Sequence, residues 1–164
     1  MKFAAASMLV VCGALLGRSR LSSLKSRLGL LGAMDSALAL MAGEIELCAR
    51  PLPEIFENLA CRGPVELRGF FFSLSLGCAQ KPAGEVWAES CRSLGLGGET
   101  FSVLCSLAPV LGGYDGRRQA AEIERVRQYL ERETERVGGE IALKGKSWPA
   151  LGACFAGMAA MLMM

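Results

Sequence analysis

Residues 21–48 read LSSLKSRLGLLGAMDSALALMAGEIELC. Leu21, Leu24, Leu28, Leu31, Met34, Leu38, Met41, Ile45 and Cys48 recur at alternating spacings of three and four. That pattern lays one apolar stripe along a long amphipathic helix. The serines, Lys25, Arg27, Asp35 and Glu44 fall off the stripe. Pro51 disfavours helical backbone at the residue before it, so the helix is expected to end near Arg50.

Outward from this helix the chain is punctuated into five more. A second is expected over residues 51–61, closed by Gly63-Pro64, and a third over residues 65–81. The third carries Phe70, Phe71 and Phe72, two of them core ballast and one ring nearer the surface. Pro82 to Gly84 breaks the chain before a fourth helix with Trp87, over residues 85–94. A fifth, residues 99–111, stops at Gly112-Gly113. Asp115 has the chemistry of an N-cap for a sixth, running to about Lys144. Ile123, Val126, Leu130, Val137 and Ile141 give the sixth helix its apolar seam. Glu122–Arg125, Glu124–Arg127 and Arg127–Glu131 are spaced as helical ion pairs. Gly138-Gly139 is the expected weak point, and the fold class is all-α, a six-helix bundle.

Two stretches carry no charge: FAAASMLVVCGALLG at 3–17 and SWPALGACFAGMAAMLMM at 147–164. The first spans about 22 Å as helix, short of the ~30 Å hydrocarbon core. A cleaved signal would need a small-x-small site ahead of Arg18, which is absent, and a helix begins at once; an uncleaved anchor is expected. Val11 before Cys12 also disfavours a lipobox. Trp148 and Pro149 suit the start of a second span. Arg18 and Arg20 follow the first, and Lys144 and Lys146 precede the second. The positive-inside rule then places a central domain, residues 18–146, in the cytoplasm, with anchors at 1–17 and 147–164 and both termini on the opposite side. Gly13 with Gly17, Gly152 with Ala156, and Ala153 with Gly157 have the small-x-x-x-small spacing of packed membrane helices, within the chain or between copies.

The chemistry of catalysis is sparse. No histidine occurs, which removes the commonest general base. Seven cysteines include no C-x-x-C pair, and the odd number argues against a disulfide framework. They are expected as inert core thiols. Gly145-Lys146-Ser147 resembles the tail of a P-loop, but Glu140 stands where the motif needs glycine, and no strand precedes it. A net charge of +2 argues against nucleic acid. No metal, cofactor or catalytic residue is assigned, and the chain is expected not to be an enzyme.

Three groups of residues carry a resemblance. They are Glu44-Ile45 followed by Pro51-Leu52 and Glu54; Trp87 with Glu89; and Leu111-Gly112-x-x-Asp115-x-x-x-Gln119. Together they resemble the signature of the stage III sporulation protein AB family, over nearly the whole chain. Leu47 stands where the family often has tyrosine, and Arg50 where a threonine usually precedes Pro-Leu. The family is similar to the cytoplasmic domain of type II secretion F proteins. The resemblance implies a platform subunit of the channel joining mother cell and forespore, beside a separate cytoplasmic ATPase and other channel subunits. The rival expectation is a generic helical membrane adaptor or assembly factor. Glu44, Glu46, Glu54 and Glu57, clustered around the first helix junction, form the expected acidic surface for a partner.

Overall fold

The computed structural model folds the chain into six helices: α1, Lys2–Cys48; α2, Leu52–Arg62; α3, Arg68–Gly77; α4, Ala83–Cys91; α5, Gly98–Cys105; and α6, Gly116–Leu162. Short 3-10 turns at Val65–Leu67 and Arg92–Leu94 lead into α3 and out of α4. The structure describes the backbone of residues 2–48, 50–113 and 115–162, and the side chains of residues 22–48, 50–113 and 115–143. Among the described residues there is no strand. The chain divides into two compact units, one of Gly29–Thr134 and one made of the two ends, up to Leu28 and from Glu135.

The six helices of the sequence are present, with changes of extent: α1 already begins at Lys2, α4 is Ala83–Cys91, and three further ends move. α3 ends at Gly77, because residues 78–81 turn instead of continuing. α5 ends at Cys105 and gives way to successive turns up to Gly113, where Pro109 restricts the residue before it. α6 runs through Gly138-Gly139 without a break and on to Leu162. Two glycines cost a helix about 1 kcal/mol each, and the helix formers on both sides outweigh that.

In the central unit the α1 stripe is buried: Leu31, Met34, Leu38 and Met41 have no exposure, and Ile45 little. Ile123, Val126 and Leu130 of α6 are buried likewise. Arg127 does not pair with Glu131. Its Nε donates to Asp35 Oδ1 of α1 at 3.1 Å, and its Nη1 to Glu124 Oε2 at 2.6 Å. A guanidinium held between carboxylates on two helices, each only part exposed, gains more than it would from one exposed neighbour on its own helix.

Trp87 of α4 joins the remaining helices. Its ring stacks on Phe56 of α2 at 6.3 Å and meets Phe70 of α3 edge-on at 5.5 Å. Phe71 adds edge-on contact with Phe70 at 5.1 Å. The indole Nε1 donates to the Leu104 carbonyl of α5 at 2.8 Å, which satisfies a polar atom otherwise buried beside the rings. Phe72 is the ring left outside. A Cβ on Gly84 would run into the Ala108 carbonyl, so only glycine lets α4 start against the backbone that follows α5.

The cysteines depart from expectation. Cys91 alone of the five described is buried, Cys78 and Cys105 are half-buried, and Cys48 and Cys61 are exposed. Cys48 ends the α1 stripe where the helix has passed beyond the core, and Cys61 lies in the last turn of α2. Burial, reinforced by the adjacent Cys105, pushes the Cys91 thiol up to about 12. Cys12 and Cys154 lie outside the described side chains, as do the packing residues Gly13, Gly17, Gly152 and Ala156 and both expected spans. Among the described residues one stretch, Ser22–Cys48, is long and apolar enough to cross a membrane, with a mean hydropathy of 1.4. It is also the helix that supplies the core stripe.

Trp87→Ala is expected to cost about 3–5 kcal/mol. Trp87→Phe, which keeps most of the ring packing and loses the indole hydrogen bond while the Leu104 carbonyl still accepts from the Leu107 N–H, costs about 0.5–1.5 kcal/mol. Urea unfolding of the full chain in mild detergent measures both. Timed alkylation read by peptide mass spectrometry should label Cys48 and Cys61 first and Cys91 only on unfolding, because reaction needs an accessible thiolate.

Candidate functional site: a cleft at the ends of α1, α2 and α6

Three helix ends are built to meet. α1 stops at Cys48, and Pro51 in extended backbone occupies the N-cap position of α2. The Pro51 carbonyl accepts from the Glu54 and Ile55 N–H groups at 3.1 and 3.3 Å, with no side-chain cap. Pro53, which lacks an N–H, and Glu54, which suits the positive end of the helix, support that first turn. The cap position is therefore taken by Pro51. Arg50 turns back, its Nη1 3.1 Å from Glu44 Oε2. That oxygen is buried and receives no aligned hydrogen bond, so the guanidinium charge is what compensates it.

On the other side, Gly112 adopts φ 81°, a left-handed conformation that glycine takes freely. It ends the turns after α5 and lets Leu111 stay buried. Asp115 stands at the N-cap position of α6: its carbonyl accepts from the Arg118 and Gln119 N–H groups, both at 3.0 Å. Its carboxylate is exposed and makes no hydrogen bond to the first turn among the described residues. Gly116 rests on α1, since a Cβ there would touch Ile45 Cγ2 at 3.4 Å.

Between these ends lies a cleft of about 570 Å³. Ile45, Glu46 and Arg50 line it from the end of α1, Pro51, Leu52 and Pro53 from the start of α2, and Gly112, Asp115, Gly116, Arg117 and Gln119 from the start of α6. Ala83 completes it. The sequence segments 44–54 and 111–119, far apart in the chain, thus form one site.

The family model of stage III sporulation protein AB matches residues 2–164. The chain belongs to that family. Membership gives it a role related to sporulation. No curated protein and no solved structure matches the chain.

Of the residues that carried the family resemblance, Pro51, Leu52, Gly112, Asp115 and Gln119 line the cleft. Glu44 serves it through Arg50, and Leu111 is buried. Trp87 belongs to the core, and Glu54 is exposed outside the cleft. Glu89 is a surface residue whose carboxylate bonds Lys81 Nζ at 2.7 Å, which holds its pKa below the ordinary value and raises that of Lys81. The acidic surface expected at Glu44, Glu46, Glu54 and Glu57 is divided. Glu44 is neutralised by Arg50, Glu46 faces the cleft, and Glu54 and Glu57 are exposed elsewhere on α2.

The sequence reading passed over Ala83, Gly116 and Arg117, whose only signal was a position at a helix start. Ile45, Leu52 and Ala83 offer apolar contact, and Glu46, Asp115 and Arg117 offer charges that no other described residue engages. Among the described residues no group of three or more potential metal ligands gathers.

Gly112→Ala is expected to cost about 1–2 kcal/mol, from the left-handed backbone alone. Asp115→Ala and Asp115→Asn should cost the same, about 0.3–1 kcal/mol. The carboxylate acts on the α6 dipole through its charge and not through a bond that asparagine could replace. Thermal unfolding of the three variants measures this, and an asparagine variant as stable as wild type would show a working side-chain cap.

Proposed function

We propose that the chain is a non-catalytic platform subunit of the membrane channel complex between mother cell and forespore, required for endospore formation. In this reading residues 3–17 and 147–164 cross the bilayer, the Gly29–Thr134 unit works in the mother-cell cytoplasm, and both termini lie on the opposite side. The basic residues Arg18, Arg20, Lys144 and Lys146 beside the two uncharged stretches support that orientation. The partners are a secretion-type cytoplasmic ATPase and other channel subunits. No cofactor and no nucleic acid is required.

The observation that carries the reading is the convergence of segments 44–54 and 111–119 on one cleft with three charges that no other described residue engages. Such a site suits the docking of a protein segment, since apolar contact supplies affinity and rim charges supply specificity and register. The contact is centred on Glu46 and Asp115, not on Glu44, whose charge Arg50 already compensates.

Glu46→Lys combined with Asp115→Arg should weaken ATPase association strongly at low salt and less at high salt, where screening already mutes the contact. Co-purification of the full chain with the ATPase measures it. An alkaline phosphatase fusion after Met164 should be active. If wild type and ATPase never associate, a helical membrane adaptor without a secretion role becomes the better reading.

A further inference from the structure

Two cysteines meet where α4 and α5 end. Cys91 is the last residue of α4 and is 1% exposed, and Cys105 is the last residue of α5 and is half-buried. The contact that sets these helices in register also brings the thiols together. The Trp87 indole donates to the Leu104 carbonyl at 2.8 Å. Cys91 lies one turn after Trp87 on the same side of α4, and Cys105 follows Leu104 directly. The Cys105 side chain stands within hydrogen-bonding reach of the Cys91 thiol. The backbone around the pair can adjust, because helix ends yield more readily than helix interiors. Each cysteine closes its helix, and a 3-10 turn at Arg92–Leu94 follows one while successive turns from Ser106 follow the other. The connection between the two helices holds Gly95, at φ 61°, together with Gly97 and Gly98.

We propose that Cys91 and Cys105 are a reversible dithiol–disulfide pair, which when oxidised ties the end of α4 to the end of α5. The co-reactant is a low-molecular-weight disulfide, RSSR. Unequal exposure sets the order of two exchanges, since attack needs an accessible thiolate. Cys105 gives up its proton and attacks one sulfur of RSSR. An S–S bond forms between Cys105 and that sulfur, and the other sulfur leaves as RS−. Cys91, buried from the small disulfide, then gives up its proton and attacks the Cys105 sulfur. The bond from Cys105 to the small thiol breaks as the Cys91–Cys105 bond forms, and a second RS− leaves. The two protons end on the two RS− groups. Two protein thiols and RSSR thus become one protein disulfide and two RSH, with two electrons passed from the protein to the small disulfide. An excess of small thiol runs both steps backward.

The link clamps a contact that the folded chain already makes, so oxidation keeps the fold and restricts the unfolded chain. A disulfide across about 15 residues raises the melting temperature of a domain this size by about 10 °C. In a reducing cytoplasm the dithiol is the resting form and the disulfide a response to oxidation. Only that assignment of the resting form rests on the reading above. The exchange itself depends neither on a partner nor on the side of a membrane.

The test incubates the folded full chain in mild detergent with glutathione disulfide, quenches with acid, alkylates the remaining thiols and maps peptides by mass spectrometry. Cleavage after Glu85, Glu89 and Glu99 puts Cys78, Cys91 and Cys105 on separate peptides. The Cys91–Cys105 link should exceed every other cross-linked pair at least tenfold, and dithiothreitol should remove it. Oxidised wild type should melt about 10 °C above reduced wild type, with unchanged circular dichroism. In Cys91→Ala, Cys105 should stop at the mixed disulfide with glutathione. In Cys105→Ser neither the link nor the rise in melting temperature should appear. The deciding readout is the link in wild type, so a variant that folds poorly does not obscure it. A glutathione adduct on Cys105 that persists in wild type without the link overturns the proposal. So does a link that forms only in urea, an even spread of cross-links among the cysteines, or an oxidised chain that melts no higher than the reduced one. Failure of ATPase capture or of the topology result leaves this outcome unchanged, so the two readings fail separately.

Discussion

Trp87 is the constraint on which the central helices depend. Its ring stacks on Phe56 and meets Phe70, while its N–H reaches the Leu104 carbonyl, so four helices are referred to one side chain. Apolar burial alone would tolerate sliding, because dispersion has little direction. The hydrogen bond removes that freedom and fixes how far α4 can move along α5. Gly84 against Ala108 fixes the same pair at its other end, by allowing backbone to approach backbone. With α4 and α5 locked, the turns after α5 arrive where Gly112 must reverse, and Gly112 in turn delivers Asp115 and Gly116 to Ile45.

The cleft is therefore a by-product of core geometry brought to a surface. Its charges are spare because the nearby pairings use other residues: Arg50 answers Glu44, and Arg127 answers Asp35 and Glu124. What is left over, Glu46, Asp115 and Arg117, is engaged by no other described residue.

Much of this was legible in order along the chain, and little of it across the chain. The α1 stripe, the aromatic triplet with one ring outside, and the glycine turn at Gly112 follow from local periodicity and turn chemistry, which act over a few residues. Arg127 shows where that stops. Its two acidic neighbours at i−3 and i+4 look equivalent in sequence, but only Glu124 pairs with it, and the packing of α1 on α6 puts Asp35 in the place expected of Glu131. Cys48 repeats the lesson: it keeps the stripe's spacing, but the core ends one turn before it. Asp115 was read as a cap from its residue type, and it does hold the cap position. Whether its carboxylate turns inward is a rotamer choice that spacing does not encode. The spans at 3–17 and 147–164 rest on composition alone.

The nearness of Leu52 to Gly112 has a consequence for how the chain comes together. A side-chain carbon at Gly112 would lie 3.7 Å from Leu52 Cδ1, so residues 52 to 112 leave one point of the fold and return to it. Helices α2 to α5 are thus a closed excursion whose contacts are mostly between neighbours in sequence, the kind that form fast. Joining the long helices α1 and α6 requires shutting that loop, and loop closure is entropically costly, although only about 0.6 kcal/mol more for each doubling of length. The cleft is the clasp of the loop. Any segment that binds across it holds the two ends of the excursion together, so occupancy of the site and persistence of the fold are thermodynamically one quantity.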